Sequence, residues 1–312
     1  TRAKKQSAAL LNGRAKTQPP ALLKGRAKKP PAAPLNGRAK KRSDAPLNAR
    51  APAKASFDAG RVLKPLTLVA ALVALWALLG ASGLWSEYVL PGPDKVWRAF
   101  VRLLETGALR EDVWISLVRV LKGFSISFAL ALLLGALASL APRLSAWYDP
   151  LLEFMRNVPP IALIALLILW FGIGETSKII VIVLASFFPM FLSIRKGFEG
   201  CDARLLAVGR SFGFSRGRQF LKIVLPAAVP DVLVGMRIGL GYSWRAIIGA
   251  EMFAASAGLG HLILYSQQMS RSDRVIVGII MIGLVGLACD ALFRLLIRKM
   301  LGRGEAYAVG QD

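Results

Sequence analysis

The chain has 312 residues, 55% of them hydrophobic, and its 41 Lys and Arg against 18 Asp and Glu give a formal net charge of +23. Soluble domains of this size are rarely so apolar, so the composition predicts an all-α integral membrane protein. Cys201 and Cys289 lie far apart with no CxxC spacing, and His261 is the single histidine. These counts argue against a disulfide framework, a metal site and a histidine-based catalytic relay.

Residues 1–64 hold 17 Lys and Arg and only two Asp. Four related motifs recur there every twelve residues, as LNGR at 11–14, LKGR at 23–26, LNGR at 35–38 and LNAR at 47–50. With almost no large apolar side chain to bury, this segment is predicted to be a disordered basic tail. It could contact anionic membrane lipid or, less favoured, nucleic acid. The interpretation that we favour is a non-essential extension.

The first apolar segment, residues 66–84, is uncharged and about long enough to cross a bilayer. The basic tail before it predicts an N-terminus on the cytoplasmic side. Residues 85–115 carry a nearly balanced set of charges, as expected for an external loop. Four apolar residues of that loop recur at helical spacing and predict an amphipathic interfacial helix: Trp97, Phe100, Val101 and Leu104.

Five further apolar segments predict five more transmembrane helices, at residues 118–140, 157–173, 178–195, 227–250 and 275–297. Six crossings place both termini in the cytoplasm, with a short C-terminal tail at 304–312. The third crossing opens with a broken entry, Asn157-Val158-Pro159-Pro160, which at membrane depth needs protein packing or a water-lined path. Asn157 and Pro159 are therefore predicted to lie along the solute path.

The fifth crossing is the least hydrophobic, because glycines and charged residues interrupt it. Its small residues Gly235, Gly239 and Gly241 are predicted to let another helix approach closely. Arg237 lies among them and needs a carboxylate, carbonyls or water beside it. We interpret Arg237 as structural in preference to a direct substrate contact.

The end of the fifth crossing supplies the other predicted pore residues, Trp244, Arg245 and Glu251. Arg245 is the residue best suited to draw an anion through the pore. An ion pair between Arg245 and Glu251 is the competing interpretation, and the sequence does not decide between the two. The SAGLG motif at 256–260 follows in a predicted external segment and could start a short helix that dips back toward the pore.

Residues 196–226 lie between the fourth and fifth crossings and are too polar and basic for a bilayer. They are predicted to be a cytoplasmic docking loop with two short helices, 201–212 and 216–223, broken around Gly213. The arginines of this loop could pair with acidic residues of a partner, or could serve only to keep the loop inside the cell.

Gly213 is followed after nine residues by Ile223, and then by Leu225-Pro226. This spacing resembles the cytoplasmic EAA loop of permease subunits in bacterial ABC importers, in which EAA, three residues, G, nine residues and I-x-LP follow in order. The positions of E, A and A hold Ala207, Val208 and Gly209, so the acidic residue of the loop is missing. Further segments are similar to the permeases for sulfonates, taurine and nitrate: 156–179, 225–244, 249–252 and 256–263.

The resemblance covers residues 66–302 and implies a permease domain at 65–303 with a coupling loop at 196–226. It also implies a second permease copy, two ATPase subunits, a periplasmic or lipid-anchored solute-binding protein, and a place in the bacterial cytoplasmic membrane. The loop would fit a groove on the ATPase, with a smooth surface at 207–209 and a bend at Gly213 that a side chain would obstruct. Ten residues are assigned to this contact: Arg204, Ala207, Val208, Gly209, Arg210, Gly213, Arg216, Ile223, Leu225 and Pro226.

The chain has no GxxxxGK[ST] motif, so ATP and magnesium are expected on the partner ATPase, and neither a cofactor nor an enzymatic activity is expected in this chain. The resemblance implies a small anionic solute, an aliphatic sulfonate first, with taurine or a nitrate-like anion next. Aromatic carboxylates and pyrimidine precursors of thiamine stay open. A secondary transporter driven by an ion gradient is the alternative class, but sequence repeats are confined to the tail.

Overall fold

A computed structural model of the protein describes residues 59–309, with side chains for 67–299. All of them belong to the second of two units into which the chain divides, Asp58–Asp312. The predicted tail at 1–64 lies outside the described residues except for 59–64, which are helical. The last helix continues to Val309, so the predicted C-terminal tail at 304–312 begins as helix rather than as an irregular segment.

The described residues form α-helices and connecting turns, with no strand among them. In chain order the helices are α1 Ala59–Ala81, α2 Pro93–Glu105, α3 Ala108–Leu140, α4 Pro142–Arg156, α5 Ile164–Phe171, α6 Glu175–Glu199, α7 Ala203–Ser211, α8 Arg216–Gln219, α9 Leu225–Ala227, α10 Val229–Ala254, α11 Leu259–Gln268 and α12 Ser272–Val309. A 3₁₀ turn, Pro160–Leu163, precedes α5, and a π turn, Phe220–Val224, joins α8 to α9.

Within the described part, three helical stretches are long and apolar enough to cross a membrane: α3, α6 and Ser272–Lys299 of α12. Two bent helix pairs bring the number of candidate crossings to as many as five, and α1 adds a shorter apolar stretch, Thr67–Ala81. These six segments correspond to the six predicted crossings. The second starts earlier than predicted, at Ala108 rather than near residue 118, because the polar first turns of α3 are also helical.

The predicted third crossing at 157–173 is not one straight helix. The chain bends by 87° between Pro142–Arg156 and Pro160–Phe171. Pro159 and Pro160 cause this break, because proline has no N–H to donate and its ring obstructs the preceding turn. The predicted fifth crossing also begins at a bend, of 64°, between Arg216–Ala227 and α10.

Helix α2 is amphipathic as predicted, but a different face enters the core. Val96, Ala99 and Leu103 are buried, whereas Trp97 and Leu104 are exposed. The buried set lies one residue before the predicted set, so α2 has a second apolar face that points away from the protein. Such a face suits contact with the apolar edge of a lipid layer.

Helices α6 and α10 run antiparallel and are in close contact through glycines. A Cβ atom on Gly235 would lie 3.0 Å from Ser193 Cβ, and one on Gly197 would lie 2.6 Å from Asp231 Cβ. The Ser193 hydroxyl also donates a hydrogen bond of 3.0 Å to the Asp231 carbonyl oxygen. The predicted close approach at Gly235 and Gly239 is therefore confirmed, whereas Gly241 has open space around it.

Replacing Gly197 with alanine should destabilise the α6–α10 contact, because its Cβ cannot fit beside Asp231. Overpacking of this kind costs about 1–3 kcal/mol. The matched control is Gly241→Ala, which should be neutral or slightly stabilising because alanine favours the helix by about 1 kcal/mol. Thermal unfolding of the two purified variants in detergent measures the difference, and equal midpoints would contradict this packing.

Candidate functional site

A buried arginine joins three helices at the end of the bundle remote from residues 196–226. Arg119 of α3 donates through Nε and Nη2 to the two carboxylate oxygens of Glu175, over 2.8 and 2.7 Å. Its Nη1 donates to Glu251 Oε1 at 2.8 Å and to the Ala257 carbonyl oxygen at 2.6 Å. Lys178 also contacts Glu175, at 2.7 Å. We call Arg119, Glu175, Lys178 and Glu251 the charge cluster.

The charge cluster is electrically balanced, since it contains two cations and two carboxylates. The side chains of Arg119 and Glu251 are 6% and 0% exposed, whereas that of Glu175 is 56% exposed. Buried charges of this kind are tolerated only when each is paired and hydrogen-bonded. Glu251 meets that condition, because it also accepts a hydrogen bond from the Ser116 hydroxyl at 2.8 Å.

The same region holds the start of α11 in place. Three successive backbone N–H groups donate to oxygens of α3 and α10: Gly258 to Asp112 Oδ1 at 2.7 Å, Leu259 to Ser116 Oγ at 3.0 Å and Gly260 to Glu251 Oε2 at 3.0 Å. These N–H groups have no partner within α11, so the side chains satisfy them as a helix cap would. The α10–α11 connection, residues 255–258, is thereby fixed to both α3 and α10.

The predicted alternative of an ion pair between Arg245 and Glu251 is wrong, because Glu251 pairs with Arg119. Sequence analysis missed Arg119, Glu175 and Ser116 as a set. The sequence feature that could have revealed this set is Arg119, because a cation within an apolar helix needs a carboxylate nearby. Helix periodicity could not identify that carboxylate, since Glu175 and Glu251 lie far away in the sequence.

A cavity of about 590 Å³ lies between α10 and α12, and three predicted pore residues line it: Arg237, Trp244 and Arg245. Arg237 Nε donates to Asp290 Oδ1 at 2.9 Å, which supports its structural interpretation. Trp244 is buried and donates to the Ile282 carbonyl oxygen at 3.1 Å. Arg245 pairs with no carboxylate among the described residues, and its guanidinium lies 5.6 Å from the centre of the Tyr242 ring.

The other predicted pore residues lie away from this cavity. The Asn157 side chain is exposed and donates to the Glu153 carbonyl oxygen at 2.8 Å, which closes the end of α4. Pro159 is exposed at the bend before the 3₁₀ turn. Glu251 is buried in the charge cluster and does not line the cavity. Of the six predicted pore residues, the structure therefore brings together only the three on α10 that face α12.

Residues 196–226, the coupling loop, contain the two short helices that the sequence predicts. Asp202 caps α7 by accepting a hydrogen bond from Arg204 N at 2.8 Å, and Ser215 caps α8 through Arg218 N. Gly213 lies between them with a φ of 71°. A Cβ there would meet nothing within 4 Å, so the predicted obstruction by a side chain comes from the backbone conformation and not from a neighbouring atom. The glycine is needed because this backbone conformation disfavours any residue with a side chain.

The prediction of a smooth surface at 207–209 is wrong. Those residues belong to helix α7, and Gly209 is buried, where a Cβ would lie 2.6 Å from Ile223 Cδ1. The outward face of the helix is apolar instead. Leu205, Val208 and Phe212 are exposed there at spacings of three and four residues, and Phe212 is 75% exposed. We call these three residues the apolar ridge.

Three arginines of the coupling loop have no internal ion-pair partner among the described residues. Arg204, Arg210 and Arg216 are exposed, and within the described part of the chain none of them forms an ion pair. The neighbouring Cys201 is half-buried, and burial raises the pKa of its thiol, so it is a poor nucleophile and metal ligand. On the inner side, Phe198 of α6 packs edge-on against Phe220 at 5.1 Å between ring centres, which attaches the loop to the bundle.

Long apolar helices and buried charges that are internally paired are features of a polytopic membrane protein. Residues 127–302 match the family described as the inner membrane component of binding-protein-dependent transport systems. The chain belongs to this family. It is therefore a multi-pass protein of the cytoplasmic membrane and the permease component of an ABC importer, a class that works with ATPase and solute-binding partners.

Curated relatives agree over most of the chain. SsuC of Bacillus subtilis, a permease named for aliphatic sulfonates transport, is 38% identical over 78% of this chain and 89% of its own length. The taurine transport system permease TauC of Escherichia coli is 31% identical over 74% of this chain and 86% of TauC. The bicarbonate transport system permease CmpB of Synechococcus elongatus is 30% identical over 77% and 90%.

Truncating Glu251 to alanine should lower stability strongly, because Arg119 would lose one buried partner and the N–H of Gly260 would lose its acceptor. Breaking a buried ion pair in this way costs about 3–5 kcal/mol. Glu199→Ala is the control, since Glu199 is exposed, its partner Arg195 also bonds to Asp149, and such a pair contributes less than about 1 kcal/mol. Thermal unfolding in detergent compares them, and similar midpoints would rule out the buried pair.

Proposed function

We propose that this chain is the permease of an ATP-driven importer for small organic anions, aliphatic sulfonates first. Two copies would form the pore, two ATPase subunits would hold ATP and magnesium, and a periplasmic or lipid-anchored protein would deliver the solute. The chain itself would carry no cofactor and no ATPase activity. Relatives named for sulfonates, taurine and bicarbonate support an anionic solute.

The proposed topology has six crossings with both termini and the coupling loop in the cytoplasm. The excess of basic residues in the loop supports this orientation, since cytoplasmic loops are rich in Lys and Arg. The six crossings would be supplied by α1, α3, the bent α4–α5 pair, α6, α10 and α12. A cysteine at Gly217, which has open space around it, would then react with membrane-impermeant reagents from the cytoplasmic side alone.

The observation that best supports the proposal is the apolar ridge in a loop whose exposed arginines have no ion-pair partner among the described residues. Leu205, Val208 and Phe212 form an exposed strip that would cost free energy in water and that fits an apolar groove. The arginines of the loop would meet acidic residues of the partner. The contact with the ATPase would therefore not depend on the acidic residue of the EAA motif, whose position Ala207 occupies in this chain.

Phe212→Ala should weaken the ATPase contact about tenfold or more, because an exposed aromatic at the centre of an interface is a typical hot spot. The control is Phe253→Ala, which truncates a similarly exposed phenylalanine at the far end of α10. Retention of the cognate ATPase during purification, followed by titration with the purified subunit, measures the effect. If the ATPase binds both variants equally well, α7 is not the docking element.

Arg245 is the proposed anion contact in the cavity between α10 and α12. Arg237 lines the same cavity, but its charge is balanced by Asp290, which also contacts Arg294. Arg245 lies beside the Tyr242 ring and has no carboxylate partner among the described residues, so its guanidinium can donate to a solute. An aromatic carboxylate would satisfy the same geometry, whereas an uncharged pyrimidine precursor would gain little from it.

Arg245→Gln should raise the KM for uptake of ethanesulfonate about tenfold, because a charge-assisted hydrogen bond contributes roughly 1.5–3 kcal/mol. Arg245→Lys keeps the positive charge and should recover part of the loss. Uptake into vesicles supplied with ATP, binding protein and labelled solute provides the measurement. An unchanged KM and unchanged preference among anions would remove Arg245 from the solute path, and uptake that needs an ion gradient but no ATP would favour a secondary transporter.

A further inference from the structure

Helices α6 and α10 form a stiff antiparallel pair that extends from the coupling loop to the charge cluster. Gly235 packs against the Met190 carbonyl oxygen and Ser193, so no side chain separates the two backbones there. Close-packed interfaces of this kind resist sliding, because even small shifts create clashes or voids. A displacement applied to one end of the pair should therefore reach the other end with little loss.

The coupling loop is attached to one end of this pair. Phe198, in the last turn of α6, packs against Phe220 of the π turn. Gly209 of α7 packs against Ile223 of the same turn. The π turn leads through α9 directly into α10. A force on α7 would thus act on α6 and α10 together.

The charge cluster is attached to the other end. Glu175 is the first residue of α6 and Glu251 lies in the last turn of α10, so each helix of the pair ends in a carboxylate. One guanidinium, that of Arg119, binds both carboxylates and the Ala257 carbonyl oxygen. This one side chain thereby joins the ends of both helices to residues 255–258, in addition to the close packing of α3 along α6, where a Cβ on Gly123 would lie 2.6 Å from Ile182.

We propose that Arg119, Glu175 and Glu251 are positioning residues that couple movement of the α6–α10 pair to α3 and to the α10–α11 connection. This inference rests on the proposed function, since it requires an ATPase that moves the coupling loop. In wild-type protein, ATP-driven movement of α6 and α10 would carry α3 and residues 255–258 with it. Without the Arg119–Glu175 contact, the first turn of α6 would no longer hold the guanidinium that binds Glu251 and the Ala257 carbonyl oxygen, and ATP would be hydrolysed with less solute transfer.

The geometry allows this contact to be removed with little damage to the fold. Glu175 is the half-exposed member of the cluster, and a glutamine at this position keeps a side-chain oxygen that can still accept a hydrogen bond from Arg119 or Lys178. Glu251 stays in place and continues to neutralise the buried side of the guanidinium. Glu175→Gln is therefore the variant to use, and Glu153→Gln is its control. Glu153 is an exposed carboxylate that pairs with Arg156 on α4, outside both the charge cluster and the coupling loop.

The experiment measures ATP hydrolysed per ethanesulfonate transported by the full complex in proteoliposomes. Glu175→Gln should raise this ratio fivefold or more while the ATPase subunit still co-purifies, and Glu153→Gln should stay within twofold of wild type. Glu175→Asp, which keeps a shorter carboxylate, should give an intermediate ratio. If the glutamine variant does not fold, the ratio measured for Glu175→Asp tests the proposal in its place.

A merely structural role gives a different result. Loss of folded protein lowers ATP hydrolysis and transport in parallel and leaves their ratio unchanged, and that outcome would overturn the proposal. If wild-type protein binds no ATPase, the proposed function fails instead. The two failures are therefore distinguishable by whether the ATPase co-purifies.

Discussion

The bundle depends on one buried guanidinium. Arg119 carries a charge that the interior of an apolar bundle accepts only if carboxylates face it, and the two that do so come from different helices. This requirement fixes the ends of α6 and α10 against α3. The same carboxylate, Glu251, also caps α11, so the N-terminus of that helix is set by the same charge.

The α6–α10 pair makes one kind of contact between its ends and another kind at its ends. Between its ends, glycines such as Gly235 allow backbone contact, and the resulting stiffness comes from packing. At its ends, polar and aromatic contacts attach other elements: the charge cluster at one end, and Phe198 with Phe220 at the other. This arrangement suits a permease whose motor lies on a separate subunit, because a force applied to an exposed helix must reach the solute path through this chain.

The sequence predicted the helical class, the six apolar segments and the two short helices around Gly213, because hydropathy and glycine conformation act locally. It did not predict the face that α2 buries, which depends on how that helix rotates against its neighbours. It also offered Arg245 as a possible partner of Glu251 and did not consider Arg119, since both arginines satisfy the same charge rule and only the packing of α3 against α10 selects between them. The apolar ridge of the coupling loop was not predicted either. The spacing of the motif predicted helix α7, but which face of that helix is exposed depends on the packing of Gly209 against Ile223.

Electron cryomicroscopy of the assembled transporter in lipid nanodiscs, without nucleotide and with ATP, would show whether Arg119 holds both carboxylates throughout the transport cycle. The account predicts that Arg119 stays within hydrogen-bond distance, about 3 Å, of both Glu175 and Glu251 in the two states, while the coupling loops of the two copies move with the ATPase. Release of the guanidinium from either carboxylate, with α6 sliding along α3 between the states, would contradict it.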